Sequence, residues 1–63
     1  MDQMICTVRK ERDGQWVRAI VVVHETPHRE VHATQWCGTS DRAKGWADWY
    51  CKRNNLTIVY SDF

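Results

Sequence analysis

The sequence predicts an α+β fold in one small domain, residues 1–63: an antiparallel sheet of three to four strands with one helix packed on one face, in the order β-β-β-α-β. Three observations predict it. Seven Val, three Ile and five Thr stand against one Leu and four Ala, a balance that suits a pleated sheet and not a helical bundle. One long stretch, Gln15 to Glu25, alternates with the period-two pattern of a strand, and one later stretch, Asp41 to Arg53, repeats its apolar residues at helical spacing.

Gln3 to Arg9 alternates weakly through Ile5, Thr7 and Val8 and reads as a short first strand, placed at an edge. Arg12-Asp13-Gly14 is a turn signal, because glycine supplies the positive φ of a tight hairpin. The second strand, Gln15 to Glu25, has an apolar set, Val17, Ala19, Val21 and Val23, that should face the core. Its mixed set is Trp16, Arg18, Ile20, Val22 and His24. Thr26-Pro27-His28 breaks the ladder, since proline has no N–H to donate. A third strand from Arg29 to Cys37 should pair with the second as a hairpin. Val31, Ala33, Gln35 and Cys37 fall on one side of it and Glu30, His32, Thr34 and Trp36 on the other.

Gly38-Thr39-Ser40-Asp41 opens a helix, with Thr39 or Ser40 able to accept from a free backbone N–H and Asp41 suited to the positive end of the dipole. Within Asp41 to Arg53, residues Ala43, Trp46, Ala47, Tyr50 and Cys51 form one apolar stripe, so Trp46 is expected in the core. Asn54-Asn55 can take the left-handed conformation that ends a helix. A last strand follows at Leu56 to Tyr60, with Leu56, Ile58 and Tyr60 on one face. The expected core is Val17, Ala19, Val21, Val23, Val31, Trp46, Tyr50 and Ile58, and a chain this short should need nearly all its large apolar residues for folding.

Nine basic and eight acidic side chains leave a net charge of +1, and 43% of the residues are hydrophobic. This is the composition of an ordinary folded domain. The longest apolar run is Ala19 to Val23, far short of the roughly 20 residues that cross a bilayer. The first residues carry no secretory pattern, and the three cysteines, Cys6, Cys37 and Cys51, are an odd number spread widely. Together these lead us to expect a cytoplasmic protein with reduced thiols and no membrane association.

No set of carboxylates converges as an acid–base pair would, and a single sheet-and-helix layer has little room for a catalytic cleft. We therefore expect no enzymatic activity and no cofactor. His24, His28, His32 and Cys37 lie within fourteen residues, and His24 and His32 could face each other across the hairpin, but no metal-ligand spacing is present and the histidines read as surface residues.

Tryptophan is the richer signal, at four in 63 residues. Trp49 lies off the apolar stripe, on the side of the helix that carries Arg42 and Arg53. Arg53, four residues on, can stack on its ring. Trp49 is either a packed flank or a recognition residue. Trp16 and Trp36 fall on the mixed sheet face with Arg18, Ile20, Val22, His32 and Thr34, a face too apolar to stand bare. A homodimer, cover by terminal residues such as Phe63, or a bound partner would each account for it.

Two resemblances follow. The run Gly14-Gln15-Trp16-Val17-Arg18-Ala19-Ile20, a second strand ending at Trp36-Cys37, and Ser40 opening a helix with Ala43 and Trp46 resemble the AP2-like arm-binding DNA-binding domains of tyrosine recombinases. That resemblance implies duplex DNA read in the major groove by a three-stranded sheet through Trp16 and Arg18. The order and spacing of the strands Gln15 to Glu25, Arg29 to Cys37 and Leu56 to Tyr60 around the helix are similar to those of small phage proteins that act on host machines. Examples are the RNA polymerase inhibitor of short-tailed coliphages and some anti-CRISPR proteins. This second likeness implies a non-enzymatic inhibitor of a host protein or nucleoprotein complex.

Two functions therefore stand as expectations. The first is a phage-type interaction protein that binds and inhibits a host complex, with partner-binding residues Trp49, Arg42 and Arg53 on the helix or Trp16, Arg18 and Trp36 on the sheet. The alternative is a DNA-binding module in which Arg9, Lys10, Arg12 and Arg18 contact nucleic acid.

Overall fold

The computed structural model describes residues 4–63, so Gln3, where the sequence reading starts the first strand, lies outside the described residues. The elements are β1 (Met4–Asp13), β2 (Trp16–Val23), β3 (Arg29–Ala33), α1 (Ser40–Arg53) and β4 (Leu56–Ser61). The expected β-β-β-α-β order and the single helix over one face are both present. The sheet runs β3-β2-β1-β4.

Two features of the sheet differ from expectation. β1 is ten residues long and internal, paired with β2 on one side and β4 on the other, not a short edge strand. The sheet is mixed and not purely antiparallel, because β4 runs parallel to β1. Connectivity explains this: β2 reverses β1 and β3 reverses β2, so β3 points along β1. A helix between β3 and β4 carries the chain back and returns the next strand in the same direction.

The β1–β2 hairpin turns at Gly14, whose φ of 62° is the left-handed backbone anticipated there, and Gln15 belongs to the turn. Its register pairs Cys6 with Val23, Val8 with Val21, Lys10 with Ala19 and Arg12 with Val17. These residues share the face under the helix. β2 ends at Val23, and the turn to β3 contains a cis Thr26-Pro27 bond. β3 ends at Ala33; Thr34 N still donates to Ala19 O at 2.9 Å, and Gln35 and Trp36 leave the ladder before Cys37 bridges back to Val17.

A bulge in β3 shifts the register between Val21↔His32 and Val22↔Glu30. It reverses the expected facing of His32 and Thr34. A bulge places one extra residue against the partner strand and so exchanges the faces beyond it. His32 lies on the helix side, with its ring stacked on Tyr50 at 4.0 Å. Thr34 is buried, and its Oγ1 accepts from Ala19 N at 3.0 Å. His24 and His32 therefore point to opposite faces and do not meet across the hairpin. A second irregularity, between β1 and β4, pairs Cys6 with Ile58 but Thr7 with Tyr60, so Tyr60 leaves the side of Leu56 and Ile58 for the uncovered face.

Thr39 caps α1 by accepting from Arg42 N, Asp41 stands in the first turn, and Lys52 and Arg53 stand in the last. Asn55, at φ 59°, supplies the left-handed exit. The helix meets the sheet through Ala43, Ala47 and Cys51, spaced i, i+4, i+8 and all buried. They join Cys6, Val8, Val17, Ala19, Val21, Val23 and Cys37 in the core, with Val31, Tyr50, Leu56, Ile58 and Phe63 packed at its edge. Trp46, expected in this core, is 45% exposed. Small side chains let the helix backbone settle close to the valines, and an indole about 100° round the helix from the centre of the Ala43-Ala47-Cys51 line cannot follow them down. Among the described residues no helix is long and apolar enough to cross a membrane.

Candidate interaction surface

The uncovered sheet face carries Thr7, Arg9 and Glu11 from β1 and Trp16, Arg18, Ile20 and Val22 from β2, as the register requires. Phe63 does not cover it. That ring packs against the core on the helix side, where Lys10 Nζ sits 5.3 Å from its centroid. Ile20 is nonetheless buried, at 3% exposure, between the cross-strand neighbours Arg9 and Ala33.

The charges on this face are matched. Arg18 places Nε and Nη2 each 2.6 Å from Glu11 Oε1, and its guanidinium also lies 4.6 Å from the Trp36 ring centroid. Arg9 pairs with Glu30 at 3.7 Å. Trp16, Arg18 and Trp36 thus share one side of the sheet as expected, but the cation among them is already engaged.

Arg9, Lys10, Arg12 and Arg18 do not form one stripe. Arg9 and Arg18 lie on the uncovered face in ion pairs, whereas Lys10 and Arg12 alternate to the helix side. At the far end of the hairpin His24 and His28 stack at 4.7 Å, and His24 Nε2 shares a 2.6 Å hydrogen bond with Thr7 Oγ1. Among the described residues no group of three or more His, Cys, Asp or Glu gathers as metal ligands would.

The outer face of α1 is organised differently. Trp46 and Trp49 meet edge to face with centroids 6.0 Å apart, and both are exposed, Trp49 at 52%. Arg53 lies 5.4 Å from the Trp49 centroid, the stacking its i+4 position allows. The indole pair separates two concavities. One, of about 340 Å³, is lined by Arg42, Gly45, Trp46 and Trp49. The other, of about 210 Å³, lies between the helix and the exit of β3 and is lined by His32, Thr34, Gln35, Trp46 and Trp49.

Arg42, Trp49 and Arg53, singled out in the sequence, therefore come together on one helix face. Trp46, Gly45, His32 and Gln35 join them there unanticipated. Trp46 could have been recognised from the small-residue spacing of Ala43, Ala47 and Cys51. His32 could not, because its place depends on a bulge without a local signature.

Cys6 and Cys51 are the other notable pair: both are free and buried, with their Sγ atoms 3.7 Å apart. Burial, reinforced by the hydrogen bond and charge of Cys6 and by Asp48, pushes the Cys51 thiol up to about 12. That direction suits packing and opposes nucleophilic use, which needs a thiolate near neutral pH. No family model, curated protein or solved structure matches the chain.

Proposed function

We propose that this chain is a non-enzymatic interaction protein of phage type, which binds and inhibits a larger host complex through the outer face of its helix. The observation that carries this reading is the Trp46–Trp49 pair. Two half-exposed indoles in edge-to-face contact, flanked by Arg42 and Arg53 and bordered by two concavities, present the residue types most concentrated in binding hot spots. The open shape of these hollows and the raised Cys51 thiol favour occupation of a surface over chemistry in a pocket.

The test compares wild type with Trp49→Ala, both tagged, in bacterial lysate and in growing cells. We expect a defined set of proteins to be retained by the wild type and lost by the variant, and growth inhibition on expression to be relieved by the same substitution. Equal retention by both proteins would remove the helix face from consideration. Retention of nothing, with no effect on growth, would overturn the interaction reading itself.

A further inference from the structure

The helix face differs from the sheet face in how its charge is balanced and in one residue that the fold does not require. On the sheet, Arg9 and Arg18 each hold a carboxylate. On α1, Asp41 and Asp48 lie about 80–140° round the helix from Arg42, Trp49 and Arg53, and about 40° and 60° from Gly45, by the 100° step of a helix. Asp48 is held there by Lys44 at 3.1 Å. Arg42 and Arg53 form no ion pair among the described residues. The indoles therefore sit between two arginines that have no ion-pair partner among the described residues.

Gly45 lies in the middle of α1, where glycine is the least favoured residue after proline. A Cβ built on it meets nothing within 4 Å. No close approach within the chain explains the glycine, and its φ is not in the left-handed region. What the absent side chain does leave open is the floor of the concavity between Arg42 and Trp49.

Building on the docking reading of this face, we propose that Gly45 is the point of closest approach for an acidic polypeptide segment of a protein partner. An apolar side chain of that segment lies over Gly45 beside the indoles, and its carboxylates meet Arg42 and Arg53. The two arginines are eleven positions apart, about 16 Å along the helix axis, a distance that about five extended residues span. A nucleic-acid strand fits less well, because it needs cations along its whole track to neutralise successive phosphates. Here the helix adds only Lys44, which is paired with Asp48, and Lys52, which stands beside the Arg53 end.

The experiment selects a displayed library of random peptides on the immobilised full chain. Enriched peptides are then titrated against wild type, Gly45→Ala, Arg42→Glu, Arg53→Glu, Trp49→Ala and Trp16→Ala, each variant first checked for its circular dichroism spectrum. The peptides should carry Asp or Glu on both sides of a large apolar residue. Gly45→Ala should raise the melting temperature while weakening binding by about tenfold, as should each arginine reversal, and Trp16→Ala should change nothing.

Enriched peptides that depend on Trp49 but carry no acidic residues, or that bind Gly45→Ala undiminished, would overturn the acidic-segment inference and leave the docking surface standing. Peptides indifferent to Trp49→Ala, or no enrichment, would overturn both. An oligodeoxythymidylate that binds more tightly than the best peptide, with steep loss in salt, would assign the face to nucleic acid instead.

Discussion

Replacing Ala47 with Leu tests the packing that determines which residues of the helix reach solvent. Ala47 is fully buried, one turn from Ala43 and one from Cys51, in the cluster with Val8, Val17, Val21 and Val23. Leu is as good a helix former as any residue but Ala, so the change acts almost wholly through volume. Three added carbons under a helix seated on small side chains force strain or lift the helix, which costs about 1–3 kcal/mol. A 63-residue domain has on the order of 3–9 kcal/mol in all. At about 4–8 °C per kcal/mol for a domain this small, a loss near 2 kcal/mol lowers the midpoint by roughly 8–16 °C. Urea and thermal unfolding followed by far-ultraviolet circular dichroism measure it, with Lys44→Leu on the exposed flank as a control expected within about 0.5 kcal/mol of wild type. If Ala47→Leu matches or exceeds wild-type stability, the helix does not sit close on the sheet, and the reason given for the exposure of Trp46 fails.

Two further predictions follow from the same structure. In a cycle of Trp46→Ala, Trp49→Ala and the double variant, urea unfolding should give a coupling of about 0.5–1.5 kcal/mol from the edge-to-face contact; strict additivity would mean that the indoles do not touch in solution. Because burial and the neighbouring Cys6 and Asp48 raise the Cys51 thiol from 9.0 to about 12, the folded state prefers the protonated thiol. Its contribution to stability is complete below pH 9 and is lost between about pH 9 and pH 12, at up to about 1.4 kcal/mol per pH unit. A Cys51→Ala variant should show a flatter alkaline loss in denaturant unfolding at stepped pH, and identical slopes would refute the assignment.

Periodicity made β2, the hairpin to β3 and α1 legible, because each buries one face and its sequence alternates or repeats accordingly. Val17, Ala19, Val21 and Val23 lie under the helix as their spacing requires. What periodicity could not carry is any residue beyond a register shift. The β3 bulge turns His32 toward Tyr50, and the irregularity at Thr7 turns Tyr60 outward. Both changes arise from pairing between strands and not from the strand's own pattern. Trp46 failed for a different reason. Hydrophobicity marked it as part of the stripe, but contact is decided by how near the helix can come, and Ala43, Ala47 and Cys51 allow an approach that a tryptophan does not. The direction of β4 was available from connectivity alone, since a strand reached through a helix returns parallel to the strand it left.

The same close approach accounts for the surface. The buried hydrophobic residues among those described are Val, Ala, Cys and one Ile, with no aromatic side chain, and all four tryptophans remain exposed. The core is built from small residues, with Val31, Tyr50, Leu56, Ile58 and Phe63 packed at its edge and the tryptophans about half covered. It stays cohesive because one helix and four strands can be drawn close together around it. The two indoles of α1 stand outside it, with centroids 6.0 Å apart, beside arginines that form no ion pair among the described residues. Tightening the core and exposing the helix indoles are thus one structural event. Substitutions that loosen the helix should disorder the Trp46–Trp49 face even where they touch none of its residues.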